Sequence, residues 1–483
     1  MALTWHVYVD WDGDGTLESD EAARVSSLYT RRGRSYYLRA DGGGLQNVDV
    51  GEATLILDNE DQRFNPYNSS SPIYPNVLPS RFVQITVETG TATRYVFTGE
   101  IADIKPIDDD GKRVQMWLVD GLQMLRDQQV TIGLNESIPI DEAVGKVLDA
   151  VSWPTVWGRS LEVSPDYIFY WWADSEAALD VIEAAVNSGL SYFYMAADGK
   201  AAFLDRYLSG SAKINLTDGN TLKKIDVTQP WDAVKNKITV RSYPRALQAL
   251  TALWQLTGTT AIKAGETLTL WATFVYGNET VPAKNVVAPV AYTDFRLNSS
   301  AAGTGTNLTG SCAVTATVFA QSAKLEVTNS AAVTGYLTLM QIRGEPISAP
   351  SPVVVVSEDA GSQAQYRTRE LVVDSPWQQD PNRATDFAIY LKTLLASPVK
   401  FPRVRLQHQP ALQFEVDLFE LVDYDSDHLG IDDVFAVGMI EHNWLHETGQ
   451  DVLTTLRLEP YAELSATAWV FSTQIGTSSY FAF

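Results

Sequence analysis

The sequence is short of several things, and each shortage closes a class of explanation. It holds one cysteine, Cys312, among 483 residues. That excludes an internal disulfide framework and a cysteine-rich zinc site. Cations are scarce beside anions, 36 Lys and Arg against 59 Asp and Glu, for a net charge of −23. A surface this acidic does not wrap nucleic acid, and it lacks the polybasic character of a membrane-surface binder. No stretch approaches the roughly 18 consecutive apolar residues of a transmembrane helix. The opening Met1-Ala2-Leu3-Thr4-Trp5-His6 run has neither a basic nor an apolar signal region, so cytoplasmic synthesis and folding are expected. No G-x-S-x-G elbow and no G-x-x-x-x-G-K-[ST] loop occurs. No pair among the 59 carboxylates is singled out for glycoside cleavage. No enzymatic activity is therefore expected.

What is present is strand. The hydrophobic fraction of 45% is that of a globular chain, and 13 Trp with 21 Tyr suit sheets and interfaces. Trp5–Val9, Ala53–Leu57, Phe82–Val87 and Arg113–Val119 are β-prone runs bounded by Gly, Pro, Asn or Asp. Asp109-Asp110-Gly111-Lys112 reads as a hairpin turn, and Asp41-Gly42-Gly43-Gly44 as a flexible one. The period then changes. Ile140, Val144, Val147, Leu148 and Val151 share a helical face. A second helix is expected from Ser175 to Val186, capped by Asp174 or Ser175 and stopped at Gly189. A third is expected after Asp380, with Pro381 in its first turn.

The expected fold class is mainly β with a smaller α+β part: β-barrel domains plus an inserted β-sandwich. Five units follow. Residues 1–125 form a β-barrel domain and 126–212 a small α+β domain. Residues 213–250 and 347–464 form a second, discontinuous β-barrel, and 465–483 an uncharged aromatic tail that is either disordered or docked on a neighbour. Residues 251–346 carry only ten charged side chains, half the frequency of the whole chain, and read as the inserted sandwich. Within it Trp254, Trp271, Phe274 and Tyr276 are either core residues, the favoured reading, or a platform for sugar rings.

One local motif carries chemistry. Asp10-Trp11-Asp12-Gly13-Asp14-Gly15-Thr16-Leu17-Glu18-Ser19-Asp20-Glu21 matches D-x-D-x-D-G-x₅-E in full. A hard cation such as Ca²⁺ takes six to eight oxygens. Asp10, Asp12 and Asp14 would supply carboxylates, Thr16 its carbonyl, Glu18 a ligand through water, and Glu21 a bidentate closure. The flanks differ from an EF-hand, because a β-prone run precedes the loop. An acidic hairpin without metal stands beside the Ca²⁺ reading. Asp423–Gly430 lacks the glycine and the closing Glu, and reads as a solvated hairpin. His442 and His446 lie on an expected strand, ~13 Å apart, too far to share a zinc ion, and read as surface or hairpin residues.

Several stretches resemble hub proteins of the tail tip or baseplate of tailed bacteriophages. Val7–Gly15 is similar to the aspartate-rich start of such proteins. Ala53-Thr54-Leu55-Ile56-Leu57-Asp58-Asn59-Glu60-Asp61-Gln62-Arg63-Phe64-Asn65-Pro66 resembles their "TLDNRDRRFDP" element. Asn76–Arg81 with Phe97–Ile101, and Val119–Leu125, follow in the order those proteins show. Ala178–Arg206, Asn236–Ser242, Val437–His442 and Leu456–Pro460 continue it. The insertion at 251–346 departs from the pattern, and leaves a receptor or host-glycan role open. The resemblance implies a homotrimeric ring closing the distal end of a tail tube, without catalysis. It implies contacts with the distal tail protein, the tape measure protein and tail fibre or spike proteins, and no stable nucleic-acid or membrane binding. The location would be the tail tip of a virion assembled in the host cytoplasm. Rival readings are a distal or other minor tail protein in a sixfold ring, a calcium-dependent adhesin or carbohydrate-binding protein, and a tail-associated hydrolase.

Overall fold

The computed structural model describes residues 3–461 apart from 39–44, 91, 108–111, 207, 209, 222–224 and 446–450. The Asp41–Gly44 and Asp109–Gly111 turns, His446 and the 465–483 tail fall outside the described residues, wholly or in their central part.

The chain is mainly β, with a smaller helical part. The N-terminal strands are β1 (Thr4–Val9), β2 (Ser19–Asp20), β3 (Val25–Gly33), β4 (Asp49–Asp58), β5 (Phe82–Glu88), β6 (Thr93–Ile107) and β7 (Arg113–Val119). Strict alternation in β4 buries Ala53, Leu55 and Leu57, with Thr54 and Ile56 on the other face. Helix α1 (Gly121–Asp127) begins where Asp120 accepts the Leu122 amide. β8 (Gln129–Pro139), α2 (Ile140–Ala150), β9 (Arg159–Leu161), β10 (Tyr167–Ala177), α3 (Ala178–Gly189), β11 (Tyr192–Met195) and β12 (Ala201–Leu204) follow. Helix α3 starts later than the sequence suggests. Pairing of β10 with β8 continues through Glu176 and Ala177, so Ser175 is held in strand and cannot cap a helix. Leu190, in the left-handed region, ends α3.

Strands β13 (Ile214–Thr217), β14 (Asp226–Thr228), β15 (Lys237–Ser242) and β16 (Ala246–Leu247) lead to the low-charge segment. There β17 (Thr251–Gln255), β18 (Thr260–Ile262), β19 (Thr267–Thr273), β20 (Val275–Tyr276), β21 (Glu279–Thr280), β22 (Ala283–Val287), β23 (Phe295–Asn298), β24 (Cys312–Val318), β25 (Ser322–Asn329) and β26 (Gly335–Ser348) succeed one another. β26 is a spine that pairs with β16, β17, β18, β22 and β23, while β19, β25 and β24 form a second sheet. The two sheets enclose a core of Leu253, Phe274, Phe295, Leu325, Leu337 and Ile342 among others. The rest comprises β27 (Val353–Glu358), α4 (Ala360–Tyr366), β28 (Glu370–Asp374), α5 (Pro381–Leu395), β29 (Phe401–Leu406), α6 (Pro410–Gln413), β30 (Leu421–Ser426), β31 (Ile431–Leu445) and β32 (Asp451–Pro460). Asp380 caps α5 and Pro381 opens it.

The two ends of the chain share one sheet. β3 pairs with β4 on one side and with β31 on the other, so β1–β7 continue into β29–β32, β13 and β14. Its N-terminal core, around Trp5, Val7, Leu55, Ile85, Phe97 and Met116, takes in Phe414, Trp444 and Val452 from the C-terminal part. A second core joins α1–α3 and β11–β12 to β29–β32. A third lies between α5 and the sheet β27-β15-β28.

Candidate metal centre

The acidic motif is the loop of a hairpin. β1 and β2 pair antiparallel, with Val9 opposite Ser19, and residues 10–18 connect them. Asp10 is buried, and its amide donates to the Phe82 carbonyl at 3.0 Å. Its carboxylate then shapes the loop: Oδ1 accepts the Gly13 amide at 2.7 Å and Oδ2 the Gly15 amide at 2.9 Å. Gly13 (φ +79°) and Gly15 (φ +89°) supply the left-handed turns this requires. Asp12 accepts the Asp14 amide at 3.2 Å, and Asp14 the Thr16 amide at 2.7 Å. These are Asx-turns, which wind the chain so that alternate side chains converge.

Four carboxylates meet there. One oxygen from each of Asp10, Asp12, Asp14 and Glu18 lies within 4.8 Å of the others. Desolvation first, then Asp12, Asp14 and Asp10, raises the pKa of the Glu18 carboxyl. Such a cluster repels itself, and a bound cation relieves it. Thr16 is exposed at the loop's C-terminal side. Glu21 stands apart from the four. It is buried, accepting from Trp11 Nε1 at 3.1 Å and from Arg63 Nη2 at 2.7 Å. The reason is the element that follows the loop. A helix would carry the twelfth residue back over the loop, whereas β2 carries Glu21 onto the Val7 carbonyl. Glu18, three residues earlier, takes the fourth place. The Arg81 guanidinium lies close by, where a side chain at Gly13 would run into it.

The other sequence candidates are dispersed. Cys312 is half-buried at the start of β24, and burial pushes its thiol up to about 11, unsuited to nucleophilic work at neutral pH. The Asp423–Gly430 segment is the β30–β31 hairpin, where the Asp218 carboxylate accepts from Ser426 Oγ. His442 is on a strand but is not at the surface. It sits between Thr30 of β3 and Thr454 of β32, buried, with Nδ1 2.9 Å from Thr454 Oγ1. Pairing on both sides is what buries it. Of the four aromatics of the insertion, Phe274 is fully buried and Trp254 half-buried. Trp271 is 60% exposed, stacked on Phe319 at 5.9 Å, and Tyr276 is also exposed. The core reading therefore fails for Trp271 and Tyr276, because Trp271 alternates with buried Ala272 and falls on the outer face of β19.

Sequence reasoning missed the buried charges that tie the two ends of the chain together. Arg34, just past β3, donates from Nε to both oxygens of Glu459 at 3.0 Å, and both side chains are buried. Arg32 pairs with Asp417 at 2.7 Å. No local spacing signals pairs that lie hundreds of residues apart in the chain.

No family model matches the chain, and no curated protein matches it. Among solved structures it is similar to the tail protein from Neisseria meningitidis, with a TM-score of 0.52 and 10% identity over 95% of this chain and 97% of that one. It is likewise similar to the 43 kDa tail protein of prophage MuSo2 from Shewanella oneidensis, with a TM-score of 0.51 and 9% identity over 94% and 98% of the two chains. The chain thus has the fold of these two tail proteins over nearly its whole length.

Proposed function

We propose that the protein is a structural, non-catalytic subunit of a phage tail or tail-like particle, built as a homotrimeric ring at the distal end of the tail tube. The observation that carries this reading is the near end-to-end match in fold to two tail proteins. Its partners would be the distal tail protein, the tape measure protein and fibre or spike proteins, with assembly in the host cytoplasm. The exposed Trp271 ring, stacked on half-buried Phe319, offers the insertion a stacking surface for a host glycan. Mass measurement and particle averaging of the assembled ring test the main reading. Three copies are expected, and a sixfold ring would instead make the chain a distal tail protein.

A second reading concerns the loop. Four convergent carboxylates favour Ca²⁺ held by Asp10, Asp12, Asp14 and Glu18, with Thr16 able to add its carbonyl. Titration calorimetry should show Ca²⁺ binding to the native chain and its loss in Asp12→Asn/Asp14→Asn. Absence of heat together with an unshifted melting temperature would leave an acidic hairpin without metal.

A further inference from the structure

The second sheet of the low-charge segment, β19-β25-β24, turns one face to its core and the other to solvent. Alternation separates the two faces. Leu270, Ala272 and Leu325 point inward, while Trp271 points outward from β19 with 60% of its surface exposed. Register sets Lys324 of β25 beside Trp271 and Thr317 of β24 beyond it, so the three cross the outer face in a row. Thr269, Glu326 and Thr315 form the next row on one side, and Thr273 with Ser322 the next on the other. Trp271 is the one large apolar side chain at the outward positions of these strands. The rest are Thr, Ser, one Ala and the pair Lys324 and Glu326.

Two features prepare this face for a ligand. First, the indole is held. Half-buried Phe319 stacks on it at 5.9 Å, with 26° between the ring planes. Phe319 lies in the β24–β25 turn, where its amide donates to the Ser322 carbonyl and the Phe274 amide donates to the Gln321 carbonyl, each at 2.8 Å. One side of the indole is thus backed and the other left open, which lowers the ordering cost of binding. Second, the surroundings are polar yet neutral. Lys324 pairs with Glu326 at 2.7 Å. The hydroxyls of exposed Thr269, Thr273 and Thr317 have no hydrogen-bond partner among the described residues.

This chemistry selects the occupant. A protein partner docks on a contiguous patch that desolvates around its anchor, and a single ring among hydroxyls is no such patch. A Lys–Glu pair that cancels its own charge gives no hold on nucleic acid. A pyranose has an apolar C–H face that can cover an aromatic ring, and hydroxyls at its rim that bond to side-chain hydroxyls. A flat face has no walls to enclose a free monosaccharide, so a polymer suits it better. We infer that the outer face of β19-β25-β24 binds an uncharged polysaccharide, with one sugar ring on Trp271 and the neighbouring sugar hydroxyls on Thr317 and Thr273. The inference rests on the glycan-stacking reading above, and adds the charge class of the glycan and its polar partners.

The test applies the full-length chain to a printed array of neutral and acidic glycans, then titrates the best-retained neutral oligosaccharide by calorimetry. Trp271→Ala removes the platform, Trp271→Phe keeps a smaller ring, and Thr317→Val removes one hydroxyl at nearly constant shape. All three positions are exposed, so melting temperatures should stay unchanged. The dissociation constant should rise about tenfold or more in Trp271→Ala, and less in Trp271→Phe and Thr317→Val. Retention of acidic glycans alone, lost in Trp271→Ala, overturns this inference and leaves the stacking surface standing. Retention of no glycan, or neutral binding undiminished in Trp271→Ala, overturns both. The subunit count of the assembled ring should be the same in Trp271→Ala as in the native chain, and a ring that dissociates on this change would make the face a contact between copies and overturn the inference.

Discussion

At the scale of single residues, two buried groups set opposing pH responses. Burial first, and Arg32 second, lowers the pKa of the His442 imidazole to about 3, so it is neutral in the folded chain. Unfolding returns it to the ordinary range near 6.5. Between these values only the unfolded state takes up the proton, so stability falls as pH drops from about 6.5 toward 3, by up to about 1.4 kcal/mol per pH unit. Asp120 acts the other way. Burial raises its carboxyl to about 7, against the backbone amides of Leu122 and Gly51, which favour its charged form. Its folded state holds a proton that the unfolded state releases above the usual carboxylate range. Its contribution is full at low pH and is lost as pH rises to about 7. Denaturant unfolding between pH 4 and 7 should show the two slopes partly cancelling. His442→Gln, which keeps a polar partner for Thr454, should leave the Asp120 slope exposed, so that stability falls as pH rises. A His442→Gln profile identical in shape to that of the native chain would show that His442 titrates normally.

At the scale of elements, what holds the shared sheet together is remote in sequence. Glu459 is the penultimate residue of β32, Arg34 follows β3, and their ion pair sits among Tyr37, Tyr192 and Phe419. Gly438 leaves room for it, since any side chain there would strike the Glu459 carboxylate. Glu459→Gln removes the charge and leaves Arg34 buried and unmatched. A loss of about 3–5 kcal/mol is expected in denaturant unfolding, against little change for Asp149→Asn in the exposed Arg159–Asp149 pair. A small effect at Glu459 would mean that water reaches Arg34. The same contrast separates what was legible in the sequence from what was not. Strands β1, β4, β5 and β7, and helices α2 and α5, announce themselves through alternation, helical spacing and capping, which are local signals. The β3–β31 pairing, the burial of His442 and the packing of Arg245 against Trp172 and Trp377 are products of tertiary register, for which no local pattern exists. The convergence of the Asp10, Asp12, Asp14 and Glu18 carboxylates in one loop was legible in the spacing of the motif. The place of Glu21 depended on whether strand or helix follows the loop, and the motif alone does not encode that.

At the scale of the whole molecule, charge and architecture divide along the same line. Residues 251–346 carry five cations and five anions, so the −23 belongs to the remainder. Their core draws on no residue outside that range. The segment enters and leaves as paired strands, with Ala246 opposite Ser348 and Leu247 opposite Ile347. The strand ends are therefore already adjacent, which is the geometry that a two-residue hairpin turn closes. Replacing 248–346 by Asn-Gly should leave a chain of unchanged net charge whose remaining cores are intact. Its cost is confined to contacts at the root, such as the Lys284–Glu136 pair at 2.8 Å and the amide of Ile347 on the Pro282 carbonyl. Calorimetry of the shortened chain should show a cooperative transition, and near-UV circular dichroism should retain the signal of the buried Trp5–Trp444 stack. The isolated 249–348 segment should give its own cooperative melt. A shortened chain with native far-UV but no near-UV signal would show instead that the insertion orders the acidic body from which it projects.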